Sequence, residues 1–314
     1  MKYQTGSFAG SENLLQIVRE KLFAEGWLID LHAYVDSADT RFGKRLHLHK
    51  GATYIALRSF DDFNPTGAGW SSGYGKSGID MRISTGFDAA QSWFQQPGYS
   101  NSGRYVRAGA SGTYHLFTAG ERVLLISEFE NGRYSHAFFG DAPVIVVGTG
   151  GSVLTGMEYA AGDGKSVPFD HSGSATSIWV SKADYSGWLY SYQDSETRGF
   201  ASGLSAVNGV RVPNFSPSSP GQIGTIGSSA RSSNRLNGLS ALMPVYTYVL
   251  NDGAWSPFAE FDDLYFVNCD LMTAGQDYVV GDQTFKTFPF FGKEIPAVRI
   301  QPYFGLGFAV KVDA

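Results

Sequence analysis

TYHLFTAGERVLLISEFENGRYSHAFFG, residues 113–140, is cut by two turn signals into three runs. Ala119-Gly120 separates the first run from the second, and Asn131-Gly132 separates the second from the third. Asn-Gly accommodates the two positive φ angles of a two-residue type I′ turn, so the stretch predicts three antiparallel strands in a specified register. In the middle run Val123, Leu124, Leu125 and Ile126 are apolar on both pleat faces, the pattern of a strand covered on both sides. Tyr114, Leu116, Tyr134, His136 and Phe138 alternate with smaller or polar neighbours, which predicts flanking strands that are half exposed.

The composition extends this reading to the whole chain. Aromatic residues make up 15% and Gly 39 of the 314 residues, whereas charged residues are only 17%, a profile of many short strands joined by glycine-bearing turns. The expected class is mainly β, with antiparallel sheets or a sandwich, one N-terminal helix packed on a sheet, and long loops in the C-terminal half. The organisation expected is a helix plus antiparallel β domain over 1–148 and a β-rich domain over 149–314. The net charge of -5 comes with scattered Lys and Arg and no basic run, which argues against nucleic acid as a partner. The N-terminal MKYQTGSFAGSEN lacks the apolar core of a signal peptide, and no apolar run approaches the ~20 residues that cross a bilayer. A chain soluble when made, with no membrane partner, is expected. The single cysteine, Cys269, suits assembly in a reducing cytoplasm and reads as a small buried hydrophobe.

The same central stretch carries a family resemblance. Tyr114-His115-Leu116-Phe117, the apolar strand after it, Gly132-Arg133-Tyr134 and Phe138-Phe139-Gly140 resemble a meander of virion structural proteins of tailed bacteriophages. Trp93 followed by Gln96-Pro97-Gly98, and the later Val207-Asn208-Gly209-Val210, resemble the same family. The likeness is continuous from the N-terminal helix to about residue 150 and patchy beyond. These are aromatic and turn residues, so the resemblance implies a fold and a virion setting without a reaction, and it brings no active site.

Upstream of the meander, Ser11 reads as an N-cap, Glu12 puts negative charge in the first turn, and Leu14, Leu15, Val18 and Leu22 form a helical apolar stripe ending at Gly26. Burying those side chains is worth at most roughly 6–12 kcal/mol, enough to dock a helix on a sheet. WLIDLHAY (27–34) and KRLHLHK (44–50) both alternate and read as an antiparallel pair. That register places Trp27, Ile29 and Leu31 with Leu46 and Leu48, and gathers Asp30, His32, His47 and His49 on the other face. Residues two apart on a strand stand about 6.6 Å from each other, so these groups are spaced to reach a metal, although solvent or a neighbouring subunit explains them as well and no tightly bound metal is expected.

Nucleotide signatures fail on inspection. Gly75-Lys76-Ser77 and Gly164-Lys165-Ser166 end like phosphate-binding loops, but Trp70 and Tyr159 stand where the first glycine belongs. Gly148-Thr149-Gly150 lacks a third glycine, since position 153 is Val153. No G-x-S-x-G, H-E-x-x-H or C-x-x-C occurs. The acidic pairs Asp61-Asp62 and Asp262-Asp263 invite comparison with glycosidase carboxylates, but adjacent strand residues point to opposite faces. The expectation is therefore no catalytic residue, no cofactor and no metal.

Residues 201–243 are mostly Ser, Gly, Asn or Pro yet keep scattered apolar residues. The part from 213 to 243 reads as an arm that orders against a neighbour, with Phe215, Ile223, Ile226, Arg231 and Arg235 as candidate assembly contacts. The leading expectation is a non-enzymatic virion building block of the tail or baseplate, made in the host cytoplasm, whose partners are further copies of itself and other tail or baseplate proteins. The alternatives are a head decoration protein, or a receptor or glycan binder that stacks sugars on Trp70, Tyr74, Trp188 or Tyr190. A glycan depolymerase using Asp262 or Asp263 ranks last.

Overall fold

A computed structural model describes residues 1–34, 42–61, 77–93, 95–99, 103–141, 152–156, 158–160, 187–190, 197–202, 241–251, 254–269, 271–289 and 306–313. In chain order its elements are β1 (Lys2–Phe8), α1 (Gly10–Ala24), β2 (Leu28–Tyr34), β3 (Phe42–Lys50), β4 (Thr53–Phe60), β5 (Ser77–Ser84), β6 (Gly103–Ala108), β7 (Gly112–Ala119), β8 (Arg122–Glu130) and β9 (Arg133–Asp141). They continue with β10 (Ser152–Gly156), β11 (Glu158–Ala160), β12 (Gly187–Tyr190), β13 (Thr197–Ser202), β14 (Met243–Asn251), β15 (Ala254–Asn268), β16 (Asp277–Val280), β17 (Gln283–Pro289) and β18 (Leu306–Val312). The expected class holds: the molecule is mainly β, its sheets are antiparallel, and its helix lies near the N-terminus.

One sheet of six strands runs in the order β11-β6-β5-β4-β3-β2. The other runs β1-β7-β8-β9-β10-β12-β13-β14-β15-β18-β17-β16, with β13 joining an N-terminal group of strands to a C-terminal one. The central meander forms as its turn residues require: Glu130 pairs with Arg133 across Asn131-Gly132, and Gly132 sits at φ 70°. Valine there would have open space for its side chain but the wrong backbone. Gly132→Val is accordingly expected to cost about 1–3 kcal/mol in a denaturant titration, and an unchanged midpoint would show that the turn tolerates a β-branched residue.

The meander departs from expectation in its exposure. Strands β7 and β9, expected to be half exposed, are buried on both faces along most of their length. One face of the meander, with Tyr114, Leu116, Val123, Leu125, Ala137 and Phe139, joins one core with Leu14, Leu15, Val18 and Leu22 of α1 and with Leu46, Leu48, Ile55, Leu57, Ile79, Met81 and Ile83 of the six-stranded sheet. The other face is covered by the C-terminal strands. Phe288 of β17 lies 4.7 Å from the His115 ring and 5.9 Å from Phe117, and Phe261 of β15 lies 4.7 Å from Phe138. The meander is thus the middle of three layers, which is why its aromatic residues tolerate no water on either side.

Helix α1 buries the predicted stripe, but Ser11 is not its cap. The helix begins at Gly10 after Ala9, whose N–H donates to Asn13 Oδ1 at 2.9 Å. Ser11 is buried instead, and its hydroxyl donates to Asp61 Oδ1 at 2.7 Å, tying the helix to the end of β4. Strand β1, which has no clear alternation, is recruited by seven residues of pairing with β7.

Candidate functional site

The histidine face is the first place where the alternation of β2 and β3 leads astray. Leu28 pairs with His49 and Ile29 with Leu48, but the next partner of His47 is Leu31, so Asp30 is the extra residue of a β-bulge. The bulge inverts the facing of everything after it. His32 now shares a register position with Leu46, on the face toward α1, while His47 and His49 point the other way. Asp30 stays with His49, whose Nδ1 lies 2.9 Å from both carboxylate oxygens. The four residues therefore do not converge, and no cluster of three or more His, Cys, Asp or Glu side chains among the described residues is arranged to hold a metal.

What the face of the six-stranded sheet opposite α1 does hold is a buried ionic network. Pairing sets Arg45 beside Arg58, Arg58 beside Asp80, and Asp80 beside Tyr105. Asp80 is fully buried; Arg58 Nε donates to its Oδ2 at 2.8 Å, and Arg82 Nε stands 3.5 Å from Oδ1. Burial alone pushes the Arg82 pKa down, but Asp80, Tyr105 and Tyr99 more than reverse this and raise it, so Arg82 is a permanent cation. Burial, then Asp80, push the Tyr105 phenol up and keep it neutral.

Residues 85–93 and 95–99 close this face as a loop. Its key is Gln96, buried, whose Nε2 lies 3.0 to 3.2 Å from the carbonyl oxygens of Asp88, Gln91 and Ser92, and whose Oε1 accepts the Asp88 N–H at 2.9 Å. Held in this way, the loop seats Trp93 against the network, with the Arg58 guanidinium 4.6 Å from its ring centre and the His47 ring at 5.7 Å. Trp93 and Gln96 thus have a definite structural part, which their aromatic and amide chemistry does not announce in sequence. Arg45 Nε donates to His47 Nε2 at 2.5 Å, which requires an unprotonated nitrogen; burial, and then Arg45, lower the His47 pKa to about 3.

Asp262 and Asp263 meet a different fate from the one their adjacency predicts. Val245 pairs with Phe261 while Pro244 pairs with Tyr265, so residues 262–264 have no partner on β14, although Leu264 keeps its pairing with Val310 of β18. Both carboxylates then reach the same cation: Arg122 Nη1 is 2.7 Å from Asp262 and 3.2 Å from Asp263. They form a clamp between the C-terminal strands and the meander. Of the proposed sugar platforms, Trp188 and Tyr190 fall on β12, whereas Trp70 and Tyr74 lie outside the described residues, as does Asp62. The assembly candidates Phe215, Ile223, Ile226, Arg231 and Arg235 also lie outside them.

Among the described residues the exposed large apolar side chains are Phe23 at the end of α1, Leu271, and four on the terminal strands of the sheets. Leu28 and Tyr34 are exposed on β2, and Val279 and Val280 on β16. Among the described residues no helix is long and apolar enough to cross a membrane. Compared with protein-family models and with curated proteins, the chain has no match.

Proposed function

We propose that this chain is a non-enzymatic structural component of a tailed-phage virion, in the tail or baseplate, that works by association with further copies and with other particle proteins. The observation that carries the reading is the location of its uncovered apolar surface. The buried ionic groups are engaged with one another under Trp93, whereas Leu28, Tyr34, Val279 and Val280 stand exposed on the terminal strands of the two sheets. Apolar side chains on open strand edges are an aggregation hazard for a solitary protein and are suited to a chain whose edges are met by neighbours. The resemblance of the meander to virion structural proteins supports the same setting.

The arm over 213–243 is assigned a role in this assembly. Ordering such a segment costs roughly 1–2 kcal/mol per residue, so only an extensive partner surface would hold it. Replacing residues 216–236 with a short Gly-Ser linker is expected to leave the remaining chain folded and to abolish its incorporation into particles. Normal incorporation of that variant, measured by quantitative mass spectrometry of purified particles, would remove the arm from the assembly contacts.

A further inference from the structure

The two sheets end in β1 and β16 and in β11 and β2, and these four ends are not equally guarded. Strand β1 exposes no large apolar side chain, and β11 is three residues long. Strand β2 carries exposed Leu28 and Tyr34, but the bulge at Asp30 breaks its edge and puts those two residues on opposite faces. Short edges and bulges are the devices by which proteins keep strand edges from pairing with other chains.

Strand β16 is also short, at four residues, but it carries no bulge, no proline and no lysine. It pairs with β17 from Asp277 opposite Lys286 to Val280 opposite Gln283 without a shift, and Asp-Tyr-Val-Val contains no proline and no lysine. Its one charge, Asp277, is already turned to the neighbouring strand, where Lys286 Nζ lies 2.6 Å from its carboxylate. Val279 is 70% and Val280 55% exposed, and because adjacent residues point to opposite faces, apolar surface is open on both sides of the hairpin.

We infer that the β16 edge pairs antiparallel with the β16 edge of a second copy, in a two-fold register centred on Val279. Two-fold pairing about an axis perpendicular to the sheet keeps each face on its own side, so it must centre on a residue. Centring on Val279 sets Val279 opposite its own copy and Tyr278 opposite Val280 in both directions, so that every pair within the contact is apolar and Asp277 meets only Gly281. Centring on Tyr278 would instead set Asp277 opposite Val279. The self-match commits the edge to a second copy rather than to an unrelated strand. A four-residue edge buries less than the ~1,200 Å² of a stable free-standing pair, so this is one contact among several in a multi-copy assembly. It rests on the proposed assembly function and names one of its surfaces.

Paired cysteine variants of the full chain test the register. Directly opposite residues have Cα atoms about 4.5–5.5 Å apart, within disulfide reach, whereas Val280 and its copy are diagonal and more than about 7 Å apart. Both positions are exposed and the native Cys269 is buried, so each new thiol reports alone. Under mild oxidation Val279→Cys is expected to give a covalent dimer and Val280→Cys to remain monomeric on denaturing gels without reductant. Equal crosslinking of the two, or none at Val279, overturns the pairing. The proposed function is judged separately, by whether the chain is present in purified particles: a chain that is present but crosslinks alike at both positions keeps that function and loses this contact.

Discussion

Asp80→Ala is expected to destabilise the protein by about 3–5 kcal/mol, the cost of leaving buried cations without their carboxylate. Arg58 and Arg82 are both almost fully buried, and Asp80 lies within 2.8 Å of Arg58 and 3.5 Å of Arg82. The ion pairs need not favour folding over a well-packed apolar alternative, but removing Asp80 takes a carboxylate from two cations in a region that water does not reach. The effect should also spread to the loop above, because Trp93 rests on the Arg58 guanidinium. Guanidinium titration followed by tryptophan fluorescence measures both. A loss below about 1 kcal/mol would mean that Asp80 does not neutralise this face.

Acid is expected to have an even larger effect. His47 and His136 have pKa values lowered to about 3, and His115 to about 4, in each case first by burial. Second causes are the cation of Arg45 for His47, Lys286 for His115, and the neighbouring His115 for His136. The unfolded chain takes up a proton on each near pH 6.5 while the folded chain does not, so it binds more protons as pH falls. Stability is therefore fully present above about pH 6.5 and is lost progressively as pH drops toward 4 and 3. Between pH 6.5 and 5 each histidine contributes a loss of about 2 kcal/mol. Two of the three sit where the C-terminal strands cover the meander, His115 at 4.7 Å from Phe288 and His136 at 5.7 Å from Phe308. Denaturant midpoints measured from pH 7.5 to pH 4.5 should fall steeply, and a flat profile through pH 5 would show that these rings are not buried neutral.

The parts of this fold written in local chemistry were legible, and those made by long-range contact were not. Asn131-Gly132 specifies its turn because only a small set of residues accepts positive φ, and the stripe Leu14, Leu15, Val18 and Leu22 specifies a helix by spacing alone. The bulge at Asp30 has no such signature: Ile-Asp-Leu-His alternates without a break, yet one extra residue moves His32 away from His47 and dissolves the imagined metal face. The two-sided burial of Tyr134, His136 and Phe138 comes from strands more than a hundred residues away, which nothing local announces. At Asp262 and Asp263 the rule that neighbours point apart fails because β15 slips by three residues against β14 there, and Arg122 collects both carboxylates. Trp93 and Gln96 were visible as part of a family resemblance, while the seating of Trp93 on Arg58 and the stapling of its loop by Gln96 needed the fold to bring β4 and the loop together.

The proposed assembly role stands or falls on where the chain resides. Particles purified from a lysate of the cells that make it, subjected to quantitative mass spectrometry and imaged at subunit resolution, give that directly. The expected result is a fixed number of copies per particle, arranged symmetrically in the tail or baseplate, with strand edges and the 213–243 arm in contact with neighbouring chains. Recovery of the chain only as free protein, with none in purified particles, would contradict it.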